Sequence, residues 1–300
     1  MLINDLKEKF PLNEKEILSF INSAPNRYKL YNIKKRHGGI REIAEPTKSL
    51  KILQSWALNK YLSKYKIHPS AIAYVKNKNI KDFVLPHSNN SYLLKMDFKD
   101  FFNSIKDIDF LNFLEDKASD FSQEERQLLT NIFFCKNKTS KNKGLYLSIG
   151  APSSPFISNI IMINFDNKVS EFCIDNGIIY TRYADDLAFS TNTPNTLNKL
   201  INKIKIICEQ LNYPRKLEIN SEKTVFTSRK HNRTLTGLVI SNTGKVSIGR
   251  EKKRKLRVIA HKASLRLLDQ ESLDKFKGTL SFLLSIDPDF SYYLKQKANI

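Results

Sequence analysis

The stretch of sequence that decides the fold is Ile178-Ile-Tyr-Thr-Arg-Tyr183-Ala-Asp185-Asp186-Leu-Ala-Phe-Ser190. Its two outer runs are apolar and rich in β-prone residues, so the segment Tyr183 to Asp186 predicts the tight turn of a β-hairpin. Adjacent carboxylates repel each other and raise each other's pKa unless a cation compensates. The hairpin tip is therefore a candidate seat for Mg²⁺, which prefers hard oxygen ligands. Taken alone, however, the aspartate pair fits an ordinary solvated turn better.

A second carboxylate, Asp97, favours the metal interpretation. Residues Tyr92 to Met96 read as a short buried strand that ends in Asp97, although an aspartate there could equally cap the next helix. If the strand pairs with the hairpin, we expect Asp97 to lie beside Asp185. Asp97, Asp185 and Asp186 would then hold two divalent ions about 3.5–4 Å apart. One ion would activate an attacking 3′-oxygen and the other would stabilise a pyrophosphate leaving group.

The elements around these acids follow the order strand, helix, hairpin, helix, strand. This order predicts an α+β fold with a split βαβ, ferredoxin-like sheet backed by helices. Periodicity predicts further helices over residues 12–23, 50–64, 107–117, 123–134, 153–171 and 196–211, and a helical, basic segment from Arg250 onward. Further strands are predicted over residues 28–35 and 40–44, joined by the turn 36–39, and over 224–227 and 234–241.

The composition points to a polyanionic partner. The 300 residues carry a formal net charge of +20, which favours a nucleic acid over an uncharged ligand. A cationic membrane protein is disfavoured because the chain has no apolar run of about 18 residues and no signal-like start. Cys135, Cys173 and Cys208 are odd in number and lack CxxC spacing. This pattern predicts neither disulfides nor a zinc site. It indicates a cytoplasmic setting.

Three single residues are candidate substrate contacts, each with a structural alternative. Arg41 could clamp triphosphate oxygens bidentately, or could keep an exposed strand edge from pairing. The ring of Phe102 could lie beside the nucleotide sugar and leave no room for a 2′-hydroxyl, or could be a core aromatic. Gly150 precedes an expected helix start whose N–H groups could face a phosphate or template strand, or lies in an ordinary turn.

Basic residues late in the chain form the last group of candidates. Lys223 could protonate or neutralise the leaving pyrophosphate, or could be a surface lysine. Six cations fall within about two helical turns, and so one-sided a run favours phosphate binding over a solvated face: Arg250, Lys252, Lys253, Arg254, Lys255 and Arg257. If this run neutralised about five phosphates, binding would weaken roughly 500-fold between 50 and 200 mM salt.

Taken together, these residues resemble a reverse transcriptase, and more narrowly a bacterial retron reverse transcriptase, from about Tyr28 to Asp287. The wider resemblance is carried by a fingers motif, a first catalytic motif, a template-positioning motif, a second catalytic motif and a lysine motif: Arg41-Glu-Ile-Ala-Glu-Pro46 with Leu50-Lys-Ile-Leu-Gln-Ser-Trp56, Asp97-Phe-Lys-Asp-Phe-Phe102, Gly150-Ala-Pro-Ser-Ser-Pro-Phe-Ile-Ser-Asn159, Tyr180-Thr-Arg-Tyr-Ala-Asp-Asp-Leu187 and Asn220-Ser-Glu-Lys-Thr224.

The retron resemblance is carried by later strings, namely Leu235-Thr-Gly-Leu-Val-Ile-Ser241, Val246-Ser-Ile-Gly-Arg-Glu251 and Gly278-Thr-Leu-Ser-Phe-Leu-Leu-Ser285. Leu235 stands where many retron enzymes have Val. Ser148-Ile149 stands where the wider family often has Pro-Gln, so the Gln amide is missing from the template contact. Leu85-Pro-His87 sits where retron enzymes carry Asn-Ala-x-x-His, with only the His end evident.

The resemblance implies a right-hand polymerase with fingers, a ferredoxin-like palm and a helical basic thumb, and no attached nuclease domain. The implied division is an N-terminal helical segment over 1–26, fingers over 27–90, palm with the first catalytic strand over 91–112, a fingers insertion over 113–150, palm over 151–243 and thumb over 244–300.

The implied reaction is RNA-templated DNA synthesis from deoxynucleoside triphosphates with two Mg²⁺ ions. The residues assigned to metal are Asp97, Phe98, Asp185 and Asp186, of which the aspartates are catalytic. Those assigned to substrate are Arg41, Phe98, Phe102, Gly150 and Lys223. His87 and the six basic residues from Arg250 to Arg257 are assigned to RNA.

The retron resemblance further implies a primer that is a 2′-hydroxyl of a guanosine in the enzyme's own structured noncoding RNA. The product would be a branched RNA–DNA molecule that acts with an effector protein in antiphage defence. No membrane is among the implied partners. Two alternatives stay open: another bacterial reverse transcriptase, of the group II intron or defence-associated kind, and a noncatalytic RNA-binding scaffold with a polymerase fold.

Overall fold

The computed structural model describes residues 2–35, 38–136 and 144–300. The chain divides into two units, and the division does not follow chain order. The first unit comprises Met1–Pro69, Phe98–Glu171 and Asn202–Asn220. The second unit comprises Ser70–Asp97, Phe172–Ile201 and Ser221–Ile300. The six-segment division implied by the family resemblance stays a prediction.

The helices within the described residues are α1 (Leu2–Lys9), α2 (Glu14–Ser23), α3 (Lys48–Ala57), α4 (Ile80–Val84), α5 (Phe101–Ser104), α6 (Asp107–Lys117), α7 (Gln123–Phe133), α8 (Ser154–Ile161), α9 (Ile163–Asp175), α10 (Leu200–Glu209), α11 (Arg250–Ser264), α12 (Gln270–Ile286) and α13 (Pro288–Ala298). The strands are β1 (Tyr28–Lys34), β2 (Ile40–Pro46), β3 (Tyr92–Asp97), β4 (Cys135–Lys136), β5 (Leu145–Tyr146), β6 (Ile179–Tyr183), β7 (Asp186–Thr191), β8 (Val225–Ser228), β9 (Arg233–Leu235), β10 (Leu238–Ile240) and β11 (Val246–Ser247).

Local capping explains where several of these helices begin. The Asn13 side chain accepts a hydrogen bond from the Glu16 amide, and the Glu16 carboxylate accepts one from the Asn13 amide. Ser122 and Glu125 form the same reciprocal box at the start of α7. Each box satisfies two N–H groups that a helix start leaves without partners. The helix predicted over residues 12–23 therefore begins only after Asn13.

A four-stranded antiparallel sheet with the order β6-β7-β3-β8 lies in the second unit. In chain order its strands are arranged second, third, first, fourth, which is the ferredoxin-like arrangement predicted from the sequence. β3 is central because its apolar residues Leu93, Leu94 and Met96 are almost completely buried. The sheet thus carries the end of β3 and the turn between β6 and β7 in one layer.

Side chains alternate between the two faces of this sheet. One face carries Leu93, Lys95 and Asp97 from β3, and at its Leu93 end it packs into the hydrophobic core of the second unit. That core also contains Leu235, Leu238 and buried residues of α12 and α13. The Asp97 end of the same face carries charged side chains. One sheet face is therefore apolar core at one end and charged at the other.

Some segments predicted to be continuous are interrupted in the structure. The predicted strand over residues 234–241 is a hairpin of β9 and β10. Its turn residues Thr236 and Gly237 both have positive φ, 45° and 84°, as two-residue hairpin turns with φ > 0 at both central positions require. The helix predicted over residues 153–171 is interrupted at Met162, between α8 and α9.

Some sequence predictions fall on residues that the structure does not describe. Residues 36 and 37 of the first predicted turn lie outside the described ranges, as do residues 137–143, within the predicted fingers insertion. The thiols of Cys135, Cys173 and Cys208 are buried and are not joined in disulfides. Every helix in the described ranges is too short or too polar to cross a bilayer.

Candidate active site

The hairpin tip between β6 and β7 is a two-residue turn. Tyr183 and Asp186 are the last pair of the ladder, so Ala184 and Asp185 form the turn itself. Ala184 has a φ of 57°, a conformation that costs a residue with a Cβ roughly 1–2 kcal/mol. The fully buried Arg182 stabilises it, because its Nη1 donates a hydrogen bond to the Ala184 carbonyl at 3.2 Å.

The segment before α4 supports the same hairpin from its outer side. The Arg182 amide donates to the Ser70 carbonyl at 2.7 Å, and the Ile72 amide donates to the Arg182 carbonyl at 2.8 Å. The backbone next to the tip is thus bonded on its free edge. Because the strands cannot splay, the carboxylates at the tip are held in place.

The strand register brings Asp97 to the hairpin tip. β3 and β7 are antiparallel, and Asp97 is directly opposite Asp186. Residues opposite each other on one face have Cβ atoms about 4.5–5.5 Å apart. Asp185 lies in the turn, one residue beyond the last ladder pair, so the ladder partner of Asp97 is Asp186, and the closeness of Asp97 to Asp185 stays a prediction. The expectation that the strand pairs with the hairpin is confirmed.

The electrostatics of Asp186 show that the three carboxylates interact. Burial, together with the negative charges of Asp185 and Asp97, raises the pKa of Asp186 to about 6. Lys95 and Lys223 act in the opposite direction. Like charges at close range in a partly buried place favour the neutral acid or a bound cation. The tip therefore attracts positive charge.

Lys223 supplies one such charge. Its Nζ lies 3.0 Å from both Oδ1 and Oδ2 of Asp97. The Asp97 side chain is 10% exposed and the Lys223 side chain is 61% exposed. The pairing is possible because Lys223 ends a short 3₁₀ helix, Ser221–Lys223, just before β8, and β8 pairs with β3. Lys223 thus reaches the site by a flexible stem from the solvent side.

The donor set fits a hard divalent cation of the kind that reverse transcriptases use. Within the described ranges, no group of three or more His, Cys, Asp or Glu side chains is arranged as a ready-made metal site. Mg²⁺ does not need such a cage, because it usually keeps several waters and binds one or two carboxylates together with substrate phosphates. The Asp97–Asp186 pair, with Asp185 next to it, meets that requirement.

Phe98 lies in the first unit, and its side chain is core. It is 2% exposed, stacks on Phe101 with ring centroids 5.7 Å apart and meets Phe165 edge-on at 5.4 Å. The buried ring does not face solvent, so the assignment of Phe98 to substrate rests on its backbone and stays a prediction. A phenyl ring has no metal donor either, so only the backbone of Phe98 can serve the metal.

The other substrate candidates of the first unit differ in exposure. Arg41 is exposed on β2, opposite Ile33, and Phe102 is half-buried against Phe101. Gly150 has a φ of 125°, and a Cβ there would lie 3.0 Å from the Ala44 carbonyl oxygen. Gly150 is therefore required for the close approach of its loop to β2.

His87 is placed where it cannot touch RNA. It is 1% exposed, and its ring nitrogens bond the hydroxyls of Ser190 at 2.7 Å and Thr181 at 2.8 Å. Thr181 gives its hydroxyl proton to the Phe83 carbonyl, so Nε2 of His87 must donate to Thr181 and Nδ1 must accept from Ser190. The RNA-binding assignment of the His87 side chain is wrong, because the ring is a buried bridge between β6 and β7.

The basic run lies on α11, and one of its members points inward. Lys253 Nζ is 2.5 Å from Asp287 Oδ2, with side-chain exposures of 20% and 4%, and lies over the ring of Phe290 at 4.6 Å. Its assignment to RNA is therefore wrong. The remaining five candidates are exposed: Arg250, Lys252, Arg254, Lys255 and Arg257. Lys255 pairs with Glu251 at 2.8 Å, and Lys252 donates to the Gly237 carbonyl at 3.0 Å.

Sequence reasoning missed two residues of the site. Arg182 stabilises the turn, and Lys95 lowers the pKa of Asp186 from the same sheet face. A signal for Lys95 was present, because strand alternation places it on the face of Asp97, two residues later. The only sequence signal for Arg182 was that a charged residue stands at the end of a strand predicted to be buried.

Comparisons with known proteins agree with this geometry. The family described as "Reverse transcriptase (RNA-dependent DNA polymerase)" matches residues 33–240. The retron Ec83 reverse transcriptase of Escherichia coli is 39% identical over 270 residues, 90% of this chain and 86% of that protein. The retron Ec73 reverse transcriptase of Escherichia coli is 31% identical over 99% of this chain and 95% of that protein.

Solved structures support the fold. Apo telomerase from Candida tropicalis aligns with a TM-score of 0.52 at 16% identity, over 75% of this chain and 49% of that one. Telomerase from Candida albicans, solved with a fragment of telomeric RNA, aligns with a TM-score of 0.50 at 13% identity, over 90% and 59%. At such identities the likeness shows the fold alone, and it agrees with the predicted right-hand polymerase fold.

Proposed function

This chain belongs to the reverse transcriptase family and, within it, to the bacterial retron reverse transcriptases, and from that premise we propose how its residues perform RNA-directed DNA synthesis and on which RNA. The observation that carries the proposal is the pairing of Asp97 with Asp186 in one sheet, next to Asp185. This arrangement offers oxygen ligands at a fixed tip. It suits phosphoryl transfer, where positioning and charge neutralisation do most of the catalysis.

The aspartates would act as a rigid anionic seat. Divalent cations such as Mg²⁺, when bound by Asp97, Asp185 and Asp186, supply the positive charge that a 3′-oxygen nucleophile and a departing pyrophosphate need. The protein's part is to hold these carboxylates close together at a fixed hairpin tip. Arg182 and the Ser70–Ile72 segment do this by supporting the turn and its strand.

Lys223 would move between two anionic partners. With its head exposed and its stem flexible, it can leave Asp97 and turn toward the triphosphate, where it neutralises the leaving group. Replacing Lys223 with Ala should slow primer extension by roughly 100-fold, the lower end of the range for a single positioned acid or base. Lys223→Arg keeps the charge and should retain more activity than Lys223→Ala. Equal rates for wild type and Lys223→Ala would remove Lys223 from the site.

The remaining nucleotide and template contacts are proposed from the family motifs. By their match to the family motifs, we assign Arg41 to the triphosphate, Phe102 to the sugar and Gly150 to the template backbone. The exposed cations of α11 would bind phosphates of the RNA or of the hybrid. The three free, buried cysteines fit a reducing cytoplasm.

The central test is primer extension on an RNA template with Mg²⁺. Asp185→Asn should abolish extension while the protein still binds RNA, because the change removes a charge and keeps the shape of the side chain. Asp289→Asn, an exposed aspartate on α13, is the matched control and should behave like wild type. If wild type and Asp185→Asn were equally inert but bound RNA, the protein would be a noncatalytic scaffold.

The retron assignment concerns the template and the product. We propose that the enzyme primes on a guanosine 2′-hydroxyl of its own noncoding RNA, and that the branched RNA–DNA product acts with an effector protein in antiphage defence. Nucleic acid that copurifies from cells with the native locus should contain short DNA joined to a single RNA species through a 2′,5′ linkage. Unbranched DNA would contradict this, as would unchanged phage plating after Asp185→Asn.

A further inference from the structure

A groove on the second unit lies outside the site described above. It runs beside β8, the edge strand of the sheet, and below the loop that follows β7. Its volume is about 270 Å³, slightly less than the roughly 300–1,000 Å³ of sites for drug-sized ligands. The residues that matter here are Tyr92, Phe226, Asn195, Asn198 and His231. The groove has room for one flat ring system.

The groove and the aspartates are at opposite ends of β3. Tyr92 is the first residue of β3 and Asp97 the last, which separates them by roughly 17 Å at about 3.3 Å per residue. Strand alternation also places Tyr92 on the face opposite to Asp97. Phe226 pairs with Leu94 and so shares the face of Tyr92. The groove is therefore a separate surface of the same sheet.

Two aromatic rings are exposed at the groove. Phe226 is 47% exposed and Tyr92 is 36% exposed. Tyr92 is opposite Ser228, and Phe226 is two residues away on the same strand, so the two rings are diagonal neighbours, about 7–8 Å apart at the backbone. Exposed aromatic faces of this kind are platforms on which nucleic-acid bases stack.

Polar and basic groups complete the groove. The side-chain amides of Asn195 and Asn198 each offer a donor and an acceptor, which match the edge of a base, and His231 is exposed beside them. Lys199 and Lys230 follow and precede two of these residues in the chain and are exposed. Their ammonium groups suit the phosphates that flank a bound base.

Hydrogen bonds hold both rims of the groove before any ligand arrives. On one side, Asn192 Oδ1 accepts from the amide and the hydroxyl of Ser91, and its Nδ2 donates to Asn90. On the other side, the Arg229 amide donates to the Ser91 carbonyl at 3.0 Å. Because both rims are bonded to the Asn90–Ser91 segment, little ordering is needed on binding.

We propose that this groove binds one unpaired nucleotide of a nucleic-acid strand, with its base stacked on Phe226 and its edge read by the asparagines. The proposal rests on the proposed function only for the class of the ligand. The net charge of +20 favours a polyanion over a peptide. The competing occupant, a β-strand of a protein partner, would find only four residues of edge on β8.

The test is a binding titration on the full chain. The protein is first saturated with unlabelled RNA–DNA hybrid to occupy the catalytic site. A labelled oligouridylate of about 12 nucleotides is then titrated and followed by fluorescence anisotropy. Phe226→Ala should weaken its binding about 5- to 150-fold, the range of one stacked base. Phe226→Trp keeps an aromatic face and should restore it.

The matched control is Phe282→Ala, which removes a ring of similar exposure, 48%, on α12. It should leave the affinity unchanged. Primer extension by Phe226→Ala should equal that of wild type, so that failure of the groove and failure of the polymerase are told apart. Equal affinity of Phe226→Ala and wild type would overturn the proposal, as would a Phe226→Trp variant as weak as Phe226→Ala.

A parallel titration with oligothymidylate separates the two sources of such a nucleotide. Equal weakening of both oligonucleotides by Phe226→Ala assigns the contact to the base and admits RNA or DNA. Weakening of the RNA alone assigns a contact to the ribose 2′-hydroxyl. No weakening of either overturns the nucleotide proposal and leaves the edge of β8 to a protein strand.

Discussion

The two ends of the β3–β7 strand pair differ in how their buried polar side chains are compensated. At one end, Asp97 and Asp186 face each other as like charges. At the other end, His87 and Ser190 belong to a neutral network in which Nε2 donates to Thr181, Nδ1 accepts from Ser190, and Ser190 accepts from Asn90. The neutral end has a partner for every ring nitrogen, and the charged end carries excess negative charge.

This difference shows how one sheet can be both rigid and reactive. Burial lowers the pKa of His87 to about 3, so the ring stays neutral and the network stays intact at physiological pH. Burial and the charges of Asp185 and Asp97 raise the pKa of Asp186 to about 6, so this end favours a bound cation. The well-bonded end fixes the strands that the reactive end needs in register.

The largest expected effect comes from the charged end. Asp97→Asn should reduce primer extension by about 10³-fold or more, since a metal-held charge contributes several kcal/mol to the transition state. The free energy of unfolding should change by less than about 1 kcal/mol, because the substitution preserves shape and removes one like charge. Single-turnover extension and urea unfolding measure the two quantities. A large loss of stability would show that the acids are structural.

The neutral end should behave in the opposite way. His87→Ala leaves the Ser190 hydroxyl without its acceptor and opens a cavity, so the free energy of unfolding should fall by about 3 kcal/mol. Urea unfolding measures the change, with the exposed His231→Ala as the control. Extension by the fraction that remains folded should stay within about threefold of wild type. A stable but inactive His87→Ala would erase the distinction between the two ends.

The pH dependence of stability should have opposite signs at the two ends. Below about pH 6.5 the unfolded chain binds a proton at His87 and the folded chain does not. The contribution of neutral His87 to the free energy of unfolding is therefore lost as the pH falls. Folded Asp186 keeps a proton between 3.8 and about 6 that the unfolded chain has released, so its contribution is lost as the pH rises through about 6.

These signs can be read from two variants by urea unfolding across pH 4 to 8. The stability of Asp186→Asn relative to wild type should increase as the pH rises through about 6, by less than about 3 kcal/mol. The deficit of His87→Gln should shrink as the pH falls below about 6.5. If neither difference depended on pH, burial would not control the two groups.

The smallest expected effect concerns the turn that carries the acids. Ala184→Gly removes a Cβ from a positive-φ position and should raise the free energy of unfolding by up to about 1 kcal/mol. Ala188→Gly, in the buried interior of β7, should lower it by about 1 kcal/mol. Thermal unfolding distinguishes the two. Destabilisation by Ala184→Gly would show that the turn carries no strain.

The sequence was sufficient for the sheet and insufficient for the neutral end. Tyr92 to Asp97 and the hairpin could be predicted because apolar strands bounded by a tight turn have a strong local signature. Whether Asp97 is paired with Asp185 or with Asp186 depends on the strand register. A shift of one residue would change this partner and move the side chains to the other face of the sheet. Turn length sets that register, and the sequence did not show that Tyr183 pairs with Asp186.

His87 and Lys253 were misassigned for one physical reason. Histidine and lysine are polar by composition, but burial depends on residues distant in the chain, such as Ser190 for His87 and Asp287 for Lys253. The residue pattern around His87 does not indicate a hydrogen-bond partner about a hundred residues away. The Thr236-Gly237 turn has a different cause, since both residues lie within a run that reads as one continuous apolar strand.

The reactivity of the buried thiols can report local opening of this enzyme. Burial raises the pKa of Cys173 and of Cys208 to about 12, so neither is a nucleophile while its surroundings are closed. Cys208 belongs to the first unit and Cys173 to the second. Alkylation by iodoacetamide, resolved by peptide mass, can therefore time the opening of each unit without any engineered label.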